Sequence, residues 1–140
     1  DLIVATQDWH PATHKSFASQ HKGKKPFDVV QLNGIDQILW PDHCVQGTFG
    51  AQLHKDLDIR PISAIFRKGM NSKIDSYSAF FDNNKLNNTG LHGFLQDKGI
   101  TELVFCGLAG DFCVAYSAND AKALGYEVKI LENCVKYINN

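Results

Sequence analysis

An acid and two histidines stand within one short stretch, QDWHPATH, as Asp8, His10 and His14. The apolar, partly β-branched run before them reads as a buried strand, so Asp8, Trp9 and His10 fall at its end. Side chains alternate along a strand, which sends Asp8 and His10 to one side and Trp9 to the other. Pro11 then stops strand pairing, and His14 follows one turn further on. A carboxylate gathered with imidazoles suits Zn²⁺, Fe²⁺ or Mn²⁺, and His43 in WPDHC would complete a set of one aspartate and three histidines. Asp42 could join that set, behind His43 in rank.

Cys113 offers a second chemistry. GLAGDFC leads from an apolar strand into a helix that Asp111 would cap, which places Cys113 in the first turn. Free N–H groups and the positive end of the helix dipole there favour a thiolate, and the turn LAGDFC can aim two N–H groups at one point, as an oxyanion hole requires. A thiol attacking a carbonyl is the natural reaction of such a residue, although a structural helix cysteine fits the position as well. Lys68 ends the run SAIFRK, where alternation sends Arg67 and Lys68 to opposite sides. Beside Cys113, its ammonium would lower the thiol pKa and stabilise negative charge; a lysine at a strand end is otherwise simply solvated.

Strand ends must be brought together for these residues to cooperate. Short apolar strands are predicted over residues 2–6, 62–66, 102–107 and 127–131, a pattern that suits a parallel sheet covered on both faces. Between the last two, Val114, Ala118, Ala121 and Leu124 recur at helical spacing, with Gly125 placed to end the helix. Strand, helix, strand in this order is a βαβ unit, so the class is α/β, with a doubly wound parallel sheet in three layers. Ligands in such sheets bind at the carboxyl ends of the strands, which is where Asp8, His10, Lys68 and Cys113 fall. A second helix is predicted over residues 90–98, a shorter one after Gly47, and a long irregular excursion over residues 71–88. The chain begins inside one strand and ends shortly after another, so the sheet reads as incomplete at both ends and the chain as a fragment of one domain spanning residues 1–140.

Composition sets outer limits. The formal net charge is −1, from 14 Lys+Arg and 15 Asp+Glu, so no global field recommends nucleic acid or an anionic membrane as a partner. The basic run HKGKK reads as a solvated loop, and no apolar run approaches a bilayer span. The four cysteines, Cys44, Cys106, Cys113 and Cys134, lack the dense spacing of a disulfide scaffold, which points to cytoplasmic thiols; Cys106, inside LVFCGL, reads as a buried small hydrophobe. His21, His54 and His92 read as surface residues.

The segments QDWHPATHKSFASQH, WPDHCVQGTFGAQLH, KG followed by DSYSAFFDN, and GLAGDFCVAYSANDAKALGYEV resemble, in order and over nearly the whole chain, the nicotinamidase/pyrazinamidase group of isochorismatase-like cysteine hydrolases. The resemblance implies the isochorismatase-like fold, with Rossmann-like topology, and a cytoplasmic enzyme of NAD salvage that deamidates nicotinamide through a cysteine thioester and accepts pyrazinamide. It implies one divalent ion, Zn, Fe or Mn, on Asp8, His10, His14 and His43, holding the pyridine nitrogen. It makes Cys113 the nucleophile, Lys68 the catalytic lysine, and the N–H groups of Ala109 and Cys113 the oxyanion hole, with a cis Leu108–Ala109 peptide. Trp40 and Tyr77 match aromatic residues of the substrate pocket. The family's catalytic aspartate, in a D-x-Q-N-D-F type segment, has no match in this sequence, and Gly110 stands where a threonine is usual. Neither a nucleic-acid nor a membrane partner is implied, and a monomer and a homodimer remain alternatives. So do two other functions: a non-catalytic metal-binding fragment, and a relative acting on another small amide or on isochorismate.

Overall fold

A computed structural model describes residues 1–139. Its elements are β1 (Ile3–Asp8), β2 (Val29–Leu32), β3 (Ile35–Ile38), β4 (Ile62–Lys68), α1 (Leu91–Asp97), β5 (Glu102–Leu108), α2 (Ala115–Ala123) and β6 (Glu127–Lys136). Short 3-10 turns lie at Ala18–Gln20 and Phe49–Ala51, and a π-helical turn at Gly110–Val114 precedes α2. The chain divides into two compact units, Asp1–Asp75 and a second that begins at Ser76.

In the first unit β1 and β4 run parallel, in a register that sets Thr6 against Phe66, Gln7 against Arg67 and Asp8 against Lys68. Alternation then works as expected from sequence. Arg67 turns outward, its guanidinium 3.7 Å from the centre of the Trp9 ring, whereas Lys68 is buried. The segment after His14 returns along Trp40, whose N–H donates to the Ser16 carbonyl while its own carbonyl accepts from Ala18, both at 2.8 Å. Phe17 and Leu39, each 0% exposed, form the centre of this unit's core.

β2 and β3 form an antiparallel hairpin that the strand reading above does not contain. Asn33 and Gly34 turn it with φ of 52° and 82°, the left-handed pair of a type I′ turn. The dipeptide Asn-Gly between VVQL and IDQI is the local signal for that turn. The short helix expected after Gly47 is the single 3-10 turn Phe49–Ala51, because glycines on both sides of Phe49 disfavour a longer one.

In the second unit β5 and β6 are parallel neighbours connected through α2, which is the expected βαβ unit. Val114, Ala118 and Ala121 are buried, and the helix ends where glycine was placed to end it. Gly125, at φ 94°, donates to the Lys122 carbonyl, and Tyr126 donates to the Ala121 carbonyl, both at 3.0 Å. This pair is the Schellman arrangement, and Gly99 and Ile100 repeat it on Gln96 and Leu95 at the end of α1. Before α1, the polar stretch from Ser76 is irregular, as expected, and is tied by Asp82, whose carboxylate accepts from the backbone N–H groups of Asn84, Leu86 and Asn87.

Three expectations are corrected here. Asp111 does not cap α2: the chain enters through the π turn, and the Asp111 carboxylate bonds to residues 138 and 139 instead. Cys106 is exposed rather than buried, because β5 alternates and its outward side, with Val104 52% and Leu108 72% exposed, has no cover among the described residues. His92 is half-buried rather than a surface residue, with Nδ1 2.8 Å from the Tyr126 hydroxyl. Among the described residues, no helix is long and apolar enough to cross a membrane.

Candidate functional site

The parallel register of β1 and β4 ends on an ion pair. The Lys68 ammonium lies 2.6 Å from Asp8 Oδ1, with the lysine side chain only 4% exposed. Desolvation pushes the Asp8 carboxyl upward, but Lys68, aided by His10 and His43, outweighs it and holds the group below its usual value. Asp8 is therefore an anion at neutral pH.

Past the strand end, His10 continues by pairing with a second segment. Its N–H donates to the Cys44 carbonyl at 3.0 Å and its carbonyl accepts from Gln46 at 2.8 Å, which carries His43 alongside. The two rings lie 4.9 Å apart, and one nitrogen of each falls with a carboxylate oxygen of Asp8 into a group whose members are all within 4.8 Å of one another. A neutral imidazole has one N–H and one lone pair, so each ring's other contact fixes its tautomer. His10 Nδ1 faces the Gly69 carbonyl and His43 Nδ1 faces the Pro41 carbonyl, both at 2.8 Å. A carbonyl can only accept, so both rings carry the proton on Nδ1 and keep the Nε2 lone pair for a ligand.

His14 falls in a second group, with His10 and Asp75, all three buried. Its ring is 4.6 Å from that of His10, its Nδ1 meets Ser16 Oγ at 2.7 Å, and its Nε2 is a buried atom with no hydrogen-bond partner. Burial pushes His14 down to about 4, against the pull of Asp75 and with His10 adding to the drop; burial also lowers His10. Both rings are neutral at pH 7, the state in which imidazole binds metal. Phe17 lies under all three rings, at 5.6 Å from His10 and His14 and 5.5 Å from His43.

The residue set thus arrives as two groups sharing His10. Asp75 was not among the residues singled out from the sequence. Its only sequence signal is a carboxylate beside Ile74 at the start of DSYSAFFDN, and its burial at 3% exposure becomes visible only in the fold. Asp42 goes elsewhere, accepting a hydrogen bond from Ser19 Oγ at 2.6 Å. Trp40, 7% exposed, packs edge-on against Phe27 in the same unit. The residues present fit a divalent cation: two tautomerically fixed imidazoles, a carboxylate held ionised, and an orphaned buried Nε2.

Cys113 belongs to the second unit. It is half-buried in the π turn, where the Ala109 carbonyl accepts from Phe112 N at 3.1 Å and Val114 N at 3.0 Å, and Ala115 N–H donates to the Gly110 and Phe112 carbonyls. The Leu108–Ala109 peptide is cis, as the resemblance implies. Tyr77 packs edge-on against Phe112 and Tyr116 at 5.5 and 5.1 Å, so an aromatic group adjoins the residue before Cys113.

Compared with known proteins, residues 5–140 match the profile of the Isochorismatase domain. The chain belongs to the isochorismatase family. This isochorismatase-family chain is 49% identical over 139 residues to a nicotinamidase of Escherichia coli strain K12, an alignment covering 99% of the chain and 65% of that protein. It therefore spans a little under two thirds of that relative's length. Its structure is similar to that of an Acinetobacter baumanii nicotinamidase/pyrazinamidase at a TM-score of 0.97 and 45% identity, over 99% of this chain and 67% of that one. A Pyrococcus horikoshii pyrazinamidase solved in complex with zinc matches at a TM-score of 0.74 and 34% identity, covering 99% and 64%. The α/β, isochorismatase-like fold expected from the sequence is the fold these isochorismatase-family structures share.

Proposed function

We propose that this chain carries out, within its protein, the metal-dependent deamidation of nicotinamide to nicotinate and ammonia, with pyrazinamide as a second substrate, and that residues 1–140 act as one hydrolase domain. The observation that carries the reading is that His10 and His43, with Nδ1 on the Gly69 and Pro41 carbonyls, each bring a ring nitrogen into one group with the Asp8 carboxylate. Likeness to nicotinamidases and to a zinc-containing pyrazinamidase supports it.

A divalent ion bound there supplies a Lewis acid suited to an aromatic ring nitrogen. Asp8, His10 and His43, with His14 beside His10, would hold it, and the buried Lys68 keeps Asp8 ionised. Cys113 gives up its thiol proton and adds as thiolate to the carboxamide carbon, the N–H groups of Ala109 and Cys113 receive the developing oxyanion, the amide nitrogen takes up that proton and leaves as ammonia, and water then cleaves the thioester to nicotinate, returning a proton to the sulfur. The resemblance assigns to Lys68 the positive charge that assists this sequence, and to Trp40 and Tyr77 the contacts with the pyridine ring. Such a reaction belongs to NAD salvage in the cytoplasm.

The test is ammonia release from nicotinamide and pyrazinamide by native, chelated and zinc-reloaded protein, with Cys113→Ala and His10→Ala alongside. Turnover lost on chelation, regained on reloading and absent in Cys113→Ala is expected. Turnover of isochorismate in preference to nicotinamide would overturn the substrate, and turnover that survives Cys113→Ala would overturn the mechanism.

A further inference from the structure

The π turn that bears Cys113 is held from outside at two successive residues. Gly110 is buried, and a Cβ there would stand 2.5 Å from Tyr137 Cε1 and 2.6 Å from Val135 Cγ1, so the Tyr137 ring occupies the space a side chain at 110 would take. At the next residue, Asp111 Oδ1 accepts from the Ile138 N–H at 3.1 Å, and Oδ2 accepts from the Asn139 N–H at 2.8 Å and from Asn139 Nδ2 at 3.0 Å. Tyr137 is itself tethered, its hydroxyl donating to Glu132 at 2.6 Å. Burial opposes ionisation of Asp111, but the N–H groups of Asn139 and Ile138 more than offset it, so the group holding the segment is a carboxylate.

A π turn is rare, occurs mostly as a single turn, and is frequent at functional sites. Here residues 137–139, far along the chain, supply the outside support. We propose that this segment is a strap that positions the Cys113 turn, with Asp111 and Tyr137 as positioning residues, an inference that rests on Cys113 being the nucleophile. Cys113 follows Asp111 by two residues, so a shift of the strapped backbone moves its sulfur directly. Misplacing a reacting atom by about 1 Å can cost on the order of a hundredfold in rate. A side chain at 110 must displace the Tyr137 ring or Val135, so glycine there leaves the strap its room.

The experiment reads the thiol itself. Alkylation of Cys113 by iodoacetamide is followed by site-resolved peptide mass spectrometry across pH in the full chain, in Asp111→Ala, Asp111→Asn, Gly110→Ala and Tyr137→Ala. Both Asp111 variants remove the charge, but only asparagine keeps an acceptor for the strap's N–H groups. Glu132, Cys134, Lys136 and the Tyr137 phenol, the ionisable groups of the strap and its approach, are unchanged in both. We expect the pH profile of Asp111→Ala to be displaced from that of Asp111→Asn, with at least a threefold rate difference at neutral pH, and Tyr137→Ala to resemble Asp111→Ala. Cys106, exposed on β5, should react equally in all of these and reports that the strand is intact. Gly110→Ala is expected to follow Asp111→Ala wherever it keeps the Cys106 rate. Coincident profiles for Asp111→Ala and Asp111→Asn, or a wild-type profile in Tyr137→Ala, would overturn the strap. Ammonia release is not part of this readout, so loss of the amidase reading and loss of the strap are separate results.

Discussion

The carbonyl oxygen of Gly69 lies 2.8 Å from Nδ1 of His10, and Gly69 reaches it at a φ of +66°, leaving so little room that a Cβ would stand 2.3 Å from His10 Cε1. One glycine thus supplies the contact that fixes the histidine's tautomer and the space in which its ring sits. Gly69→Ala should push the ring away and strain the backbone, weakening zinc affinity about 10- to 100-fold, the usual cost of losing a group that orients a metal ligand. Competition titration with a chromophoric chelator measures it, and unchanged affinity in a folded variant would refute the role.

Lys68 is buried against Asp8, so Lys68→Met leaves a carboxylate without its counter-ion. In the presence of a chelator, the variant should lose about 3–5 kcal/mol of stability by denaturant unfolding. Asp8→Asn combined with Lys68→Met should recover much of that loss. If the double variant is no more stable than the single one, the loss comes from packing rather than from an unpaired charge.

Phe17, 0% exposed, touches the rings of His10, His14 and His43. Phe17→Ala should cost about 3–5 kcal/mol from the cavity left behind. Its zinc affinity should fall as well, since the rings lose their common floor. Phe17→Leu, closer in volume, should restore most of both properties, measured by thermal unfolding with and without zinc.

Metal-free protein should lose stability in mild acid. His14 is pushed down to about 4 in the folded chain, by burial first, from an ordinary 6.5. The unfolded chain therefore binds more protons between those values, so the contribution of the neutral ring is complete above about 6.5 and drains away as the pH falls towards 4. The urea midpoint, taken with chelator at several pH values in this window, should decline as pH falls and decline less steeply in His14→Gln. An equal slope in that variant would assign the effect to other groups.

Local sequence was enough for whatever depends on near neighbours. Alternation placed Asp8 and His10 opposite Trp9 and separated Arg67 from Lys68; glycines marked the ends of α1 and α2; and the apolar runs located the four strands of the two parallel ladders. Asn33-Gly34 was equally local, and the hairpin it turns was legible from residues already in hand.

What only the tertiary structure decided concerns partners distant in sequence. His10 finds its tautomer-fixing carbonyl 59 residues away, and Asp111 gives up the helix start for N–H groups 27 and 28 residues on. Asp75 joins His10 and His14, and Cys106 faces outward, because burial is set by which segments pack over a residue. The sequence by itself determined the elements and the kinds of side chain at their ends. The tertiary structure decided how those side chains are protonated, paired and covered, because desolvation and hydrogen-bond satisfaction act through space, and the residues that impose them are separated along the chain.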